Sequence, residues 1–240
     1  MRGISLLFAL LLSGCADYAV TVQGVPLDRL AGEAAARSPA EAGESAAAPL
    51  NDAGVLRERE GDLAGALRCY RLALEKDPAF VTAWVNAGNV QLKLGDLPEA
   101  ERCYRAALEL DPDNPRGLNN LAWLHLSRKE RIEEAASLLD RALAADPEHR
   151  WLYLDSLGWA RHLEGKDEAA IETLTEAIAL TPDGEDGLLA EAHYHLGLIR
   201  QERGENADAA AHLRAALERS PDAAREAEIR ELLRQIPEGR

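Results

Sequence analysis

The sequence predicts an all-α protein, an α-solenoid of about five stacked helix pairs closed by a C-terminal capping helix. Three observations predict it. The stretch Val81 to Asn114 nearly matches four other stretches at steps of about 34 residues, a period that belongs to stacked repeats. Within each copy, apolar residues recur at helical spacing on both sides of a turn, and the second run ends at a proline. The composition agrees, with 47% hydrophobic but only 5% aromatic residues and abundant alanine. Such a chain suits closely packed helices better than a β-sandwich.

The first fifteen residues, MRGISLLFALLLSGC, have the three parts of an export signal. Arg2 supplies the positive region, Ile4 to Leu12 the apolar region, and Ser13-Gly14 the small residues before Cys15. The apolar region is too short to span a bilayer. Leu12-Ser13-Gly14-Cys15 resembles the lipobox of bacterial lipoproteins, which implies lipidation of Cys15 and anchoring through its acyl chains. Residues 1–14 are thus expected to be a signal peptide. Residues 15–46, rich in Ala, Glu, Ser, Gly and Pro towards their end, are expected to be a flexible tether with little to bury.

The repeats are expected at about 47–80, 81–114, 115–149, 151–184 and 190–223. Pro78, Pro112, Pro147, Pro182 and Pro221 close their second helices, because proline lacks the donor and clashes with the preceding turn. Small residues carry a more specific pattern. Ala66, Ala100, Ala135, Ala170 and Ala209 recur in the second helices, followed seven residues later by Ala73, Ala107, Ala142, Ala177 and Ala216. Gly54, Gly88, Gly158 and Gly197 recur in the first helices, with Ala122 in the third. Glycine disfavours a helix interior by about 1 kcal/mol, so its recurrence at one register needs a packing reason. Tyr70, Tyr104, Leu139, Leu174 and Leu213 share a large-residue position. One extra residue falls in the third turn, within Ser127 to Ile132, and Glu185 to Leu189 should lengthen the first helix of the fifth repeat. Asp222 to Ile236 reads as the capping helix, with a polar outer face that stops further stacking.

At these positions the chain resembles a tetratricopeptide repeat (TPR) protein. In the second repeat Trp84, Gly88, Ala100, Tyr104, Ala107 and Pro112 meet the family pattern, and Gln91 stands where the family has tyrosine. The resemblance implies a right-handed solenoid whose first helices line a concave groove for a peptide or protein partner. It assigns to that groove Asn86 and Asn89, then Arg116, Asn119, Asn120 and Trp123, then Asp155, Ser156, Trp159 and His162, then Tyr194, His195 and Gln201. Asparagine both donates to and accepts from a bound backbone. Trp123 and Trp159 hold the same position in neighbouring repeats and are expected to form the centre of binding if exposed; packing against a neighbouring helix is the alternative. The family's clamp for C-terminal carboxylates is only partly met, by Asn86, Asn120 and Arg116, since Asn51 and Val55 stand where it has Lys and Asn.

No catalytic residue is expected. The six histidines have no metal-ligand spacing, and no phosphate loop or nucleophile elbow stands out. No metal and no cofactor are expected. The net charge of −15 repels phosphate backbones, so nucleic acid is excluded as a partner. Cys69 and Cys103, equivalent in consecutive repeats, are expected to be free thiols rather than a bridge. The expected function is a non-enzymatic, lipid-anchored adaptor that recruits or assembles a bacterial envelope complex, in pilus, secretion or cell-wall machinery, most consistently at the outer membrane facing the periplasm. Its oligomeric state is open. The alternatives are a self-assembling structural lipoprotein and a glycan-export component.

Overall fold

A computed structural model describes residues 47–219 and 223–237. The expected signal peptide, Cys15, the expected tether and Pro221 lie outside these residues. Among the described residues there are eleven α-helices and no strand, as the period and composition require. They are α1 (Ala47–Arg59), α2 (Leu63–Lys76), α3 (Val81–Lys93), α4 (Leu97–Leu110), α5 (Pro115–Arg128), α6 (Ile132–Ala145), α7 (Trp151–Leu163), α8 (Asp167–Leu180), α9 (Asp186–Glu202), α10 (Asn206–Glu218) and α11 (Ala223–Gln235). A 3-10 turn, Pro147–His149, follows α6. The chain forms two compact units, up to Asn120 and from Leu121 onward, divided within α5.

The helix boundaries follow from local chemistry. Gly61, Gly95, Gly165 and Gly204 take φ between 76° and 81°, closing the turn between the two helices of their repeats. Asp62 and Asp96 follow two of them and cap the second helix, accepting from the backbone N–H of Gly65 (2.8 Å) and Glu99 (3.2 Å). The second helices stop at Asp77, Asp111, Asp146 and Thr181, each next to its proline. In the third repeat Lys129 (φ 54°) stands at the glycine register, and the extra residue is absorbed by a second left-handed position at Arg131 (φ 48°). The longest first helix is α9, with 17 residues, as the inserted Glu185 to Leu189 lead one to expect.

The recurring small residues are all interior. The ten repeat alanines of the second helices are at most 1% exposed, and the five large residues at the shared position are fully buried. Their partner is the helix-interior glycine of the same repeat. A Cβ on Gly54 would lie 2.4 Å from the Tyr70 ring, and one on Gly88 would lie 2.5 Å from Tyr104. Gly158 and Gly197 meet Leu174 and Leu213 at 2.5 and 2.7 Å in the same way. The large side chain of the second helix therefore lies flat on the first helix where no side chain exists. Trp84 is 1% exposed and donates its indole N–H to the Pro78 carbonyl at 2.8 Å, tying the second repeat to the end of the first.

The C-terminal helix behaves as half a repeat. Ile229 is buried with Tyr194, Leu213 and Ala216, and Leu232, Leu233 and Ile236 pack against them. Cys69 and Cys103 are both free, and burial pushes the Cys103 thiol up to about 12, which keeps it protonated and inert.

Two substitutions test these readings by thermal denaturation. Gly88→Ala should destabilise by about 1–3 kcal/mol through overpacking against Tyr104, and Tyr104→Leu in the same chain should recover part of the loss. Lys129→Gly should raise the midpoint by about 2–4 °C, because it relieves a left-handed L-residue. An unchanged midpoint in Gly88→Ala would disprove the flat-packing account.

Candidate functional site

The expected groove residues fall into two sets, one in each unit. In the first unit the first helices α1, α3 and the start of α5 line an open groove of about 470 Å³. Helix α3 presents Thr82, Asn86, Asn89 and Lys93 to it, a spacing of four, three and four residues that marks one helix face. Helix α1 contributes Asn51, Val55, Glu58 and Arg59, and α5 contributes Arg116. Of the sequence-derived residues, Asn86, Asn89 and Arg116 line this groove, and Asn120 joins it through a hydrogen bond.

The asparagines are already engaged with one another. Asn86 is 7% exposed, and its Nδ2 donates to Asn51 Oδ1 at 2.9 Å. Asn120 Nδ2 donates to Asn89 Oδ1 at 2.7 Å, and the Tyr104 hydroxyl donates to the same oxygen at 2.9 Å. Asn86 is thus a bond between repeats more than a free ligand contact. Asn89, with its oxygen doubly engaged, keeps its amide N–H groups for the groove. Asn119 reaches only Asn120, at 3.4 Å, and its own Oδ1 is buried without a partner.

The core tyrosines set the polar floor. The ring of Tyr70 crosses Gly54, and its hydroxyl donates to Glu58 Oε2 at 2.9 Å; Lys93 holds the other oxygen of Glu58 at 2.7 Å. Burial, together with the Glu58 carboxylate, raises the Tyr70 phenol well above its usual range, so it stays a donor. Tyr104 repeats this arrangement over Gly88, aimed at Asn89. Sequence reasoning missed Glu58, Arg59, Thr82 and Lys93. The signal was present in the helix face shared by residues 82, 86, 89 and 93 and in Lys93 lying one repeat beyond Glu58.

In the second unit Trp123 is 46% exposed. Trp159 is not its equal. It stacks on His195, with ring centroids 4.6 Å apart and planes at 19°, and also meets His162 at 4.9 Å. Each imidazole has a carboxylate: His195 Nδ1 lies 2.8 Å from Asp155, and His162 Nδ1 lies 2.8 Å from Asp167. Glu202 stands 3.5 Å from the other nitrogen of His162. Asp155, Trp159 and His195 thus form a single network joining α7 to α9. Tyr194 is 5% exposed and departs from the groove assignment. Its hydroxyl donates to Glu228 at 2.7 Å, and Arg225 sits 4.0 Å above its ring while pairing with Glu191, so its phenol holds α11 in place. Among the described residues no group of three or more His, Cys, Asp or Glu could hold a metal, and no helix is long and apolar enough to cross a membrane.

Comparison with known families places this architecture. Tetratricopeptide repeat models match residues 51–115, 85–150, 128–185 and 191–223, together well over half of the chain. The chain belongs to the tetratricopeptide repeat family. Among solved structures, PilW, a widely conserved type IV pilus biogenesis factor, is 21% identical with a TM-score of 0.64, covering 79% of this chain and 92% of PilW. The pilF protein of Pseudomonas aeruginosa is 21% identical at a TM-score of 0.63, covering 86% and 85%. YrrB, a TPR protein with an unusual peptide-binding site, is 21% identical at 0.54, covering 86% and 98%. At these identities the likeness is one of fold. Among curated proteins, the human protein O-mannosyl-transferase TMTC3 is 27% identical over 173 residues, and the chain spans 19% of its length.

The histidines titrate in opposite directions. Burial lowers His195, but the Asp155 carboxylate and its hydrogen bond outweigh burial, so its pKa is raised above 6.5. His193, facing His212 at 3.0 Å, is depressed by burial to about 4, and burial depresses His212 as well. By linkage, the stability from His195 is fully present below pH 6.5 and is lost as pH rises through its folded value. The contribution of His193 and His212 is present above pH 6.5 and is lost as pH falls towards 4. NMR titration of the imidazole protons should find His195 above 6.5 and His193 near 4, and Asp155→Asn should bring His195 below 6.5. A His195 value unmoved by Asp155→Asn would remove the carboxylate from this account.

Proposed function

We propose that this TPR protein is a non-enzymatic, lipid-anchored adaptor that binds a protein segment along its first helices and so recruits or assembles a bacterial cell-envelope complex. The carrying observation is the open polar groove of the first unit, lined by first helices alone and backed by hydroxyls and amides of fixed orientation. Such a surface offers donors and acceptors to a polypeptide backbone and holds no constellation for catalysis. Trp123 offers an exposed aromatic anchor in the second unit. The export signal and the lipobox-like Leu12-Ser13-Gly14-Cys15 support anchoring through Cys15, at the outer membrane facing the periplasm. The fold likeness to PilW and pilF favours pilus or secretion machinery over cell-wall machinery as the setting.

Three measurements test this reading. A photo-crosslinking residue at Thr82 or Trp123 in the full chain, in intact envelopes, should capture a defined partner, and Trp123→Ala should weaken co-purification of that partner by about tenfold. Trp123 is the cleaner probe, since Trp159→Ala would also release His162 and His195. Labelled palmitate should enter the wild type and not Cys15→Ala. Light scattering that finds concentration-dependent oligomers unaffected by Trp123→Ala, with no crosslinked partner, would replace the adaptor with a self-assembling structural protein.

A further inference from the structure

The first-unit groove has a charge opposite to that of the rest of the chain. The protein carries −15 overall, yet the groove is lined by Arg59, Lys93 and Arg116 against a single acid, Glu58. That acid is already satisfied, held by Lys93 at 2.7 Å and by the Tyr70 hydroxyl at 2.9 Å. Two exposed guanidiniums therefore remain, on α1 and α5 at either side of α3, and neither has an ion pair in the described residues. Between them α3 presents the Thr82 hydroxyl and the Asn89 amide, and the floor is fixed by the tyrosines beneath Glu58 and Asn89.

We infer that this groove selects an extended acidic segment internal to a partner protein, with side-chain carboxylates paired to Arg59 and Arg116 and the intervening backbone meeting Asn89 and Thr82. The inference rests on the adaptor reading and names the chemistry of its partner. Guanidinium pairs with carboxylate in a planar, two-pronged geometry that a lysine does not match. The volume of about 470 Å³ suits a short stretch of chain rather than a folded domain. No aromatic side chain lines the groove for base stacking, and the acidic remainder repels a phosphate backbone. That same negative field acts as a filter. The acidic remainder of the chain opposes anions while the two arginines attract them locally, so the acidic segment is held by its pairs with Arg59 and Arg116 and its binding weakens with salt.

The test is fluorescence anisotropy on the full chain with a labelled decapeptide of alternating Glu and Ala, acetylated and amidated so that no terminal carboxylate contributes. A Gln-for-Glu counterpart, the Glu peptide with a free C-terminus, and a thymidine decamer serve as comparisons. The Glu peptide should bind at least about tenfold more tightly than its Gln counterpart. Arg59→Glu and Arg116→Glu should each weaken it by about tenfold, whereas Arg214→Glu on α10, outside the groove, should leave it unchanged. Circular dichroism of the two groove variants should match wild type, since both arginines are exposed. Equal binding of the Glu and Gln peptides, binding confined to the free C-terminus, tighter binding of the thymidine decamer, or an equal loss in Arg214→Glu would each overturn the inference. A crosslink from Thr82 to a neutral or basic partner segment would also overturn it while leaving the adaptor reading in place. Absence of any crosslink from Thr82 and Trp123 would instead remove the adaptor reading itself.

Discussion

The contact on which the rest of the structure depends is the seat of a large side chain on a glycine inside a helix. Glycine weakens an isolated helix, and most helical stability in proteins comes from packing rather than propensity. Here the loss is offset because Tyr70, Tyr104, Leu174 and Leu213 lie where a Cβ would otherwise stand, within 2.4–2.7 Å of its position. Four of the five repeats are closed on themselves in this way. The alanines around this contact, all buried, let the second helix come close enough to make it.

The same contact builds the groove. Where the large residue is tyrosine, its ring fills the repeat and its hydroxyl reaches past the glycine to a polar residue of the first helix, orienting Glu58 in one repeat and Asn89 in the next. Where it is leucine, as at Leu174 and Leu213, the core is equally full but nothing polar is delivered. The repeats are therefore alike in how they fold and unlike in what they display. A core substitution from Tyr to Leu conserves burial and deletes a functional group, which is why fold and function separate so cleanly in this chain.

Within each unit, bonds one repeat apart hold consecutive repeats in register. Asn51 to Asn86, Glu58 to Lys93 and Glu168 to Arg203 each join residues 35 apart, and Glu191 to Arg225 joins residues 34 apart. Exposed ion pairs of this kind contribute little singly, but the partly buried Arg225, stacked on Tyr194 and shared between Glu191 and Glu228, is better placed. It converts the last helix into a seal over the fifth repeat. In the second unit the network of Asp155, His195 and Trp159 has the same function between α7 and α9, with the difference that protonation of the imidazole tunes it.

The sequence by itself determined the all-α class, the pairing of helices, and that the recurring small and large residues are interior. These depend on local rules that repeat every 34 residues or so: Asp-Pro stops, glycine turns, and helical spacing of small and large residues. Even the irregularities were legible, in the extra residue near Lys129 and the longer α9. Tertiary structure alone decided which candidate residues are available. Asn86 and Tyr194 stand at expected binding positions by register, yet one is bonded across to Asn51 and the other is covered by the last helix. Trp123 and Trp159 share a position and diverge, Trp159 lying against the rings of His162 and His195 while Trp123 is exposed. The charge of the groove, too, comes from Arg59, Lys93 and Arg116 on three separate helices. Periodicity reports which way a side chain points; what it meets there depends on the neighbouring repeat, and no single repeat contains that information.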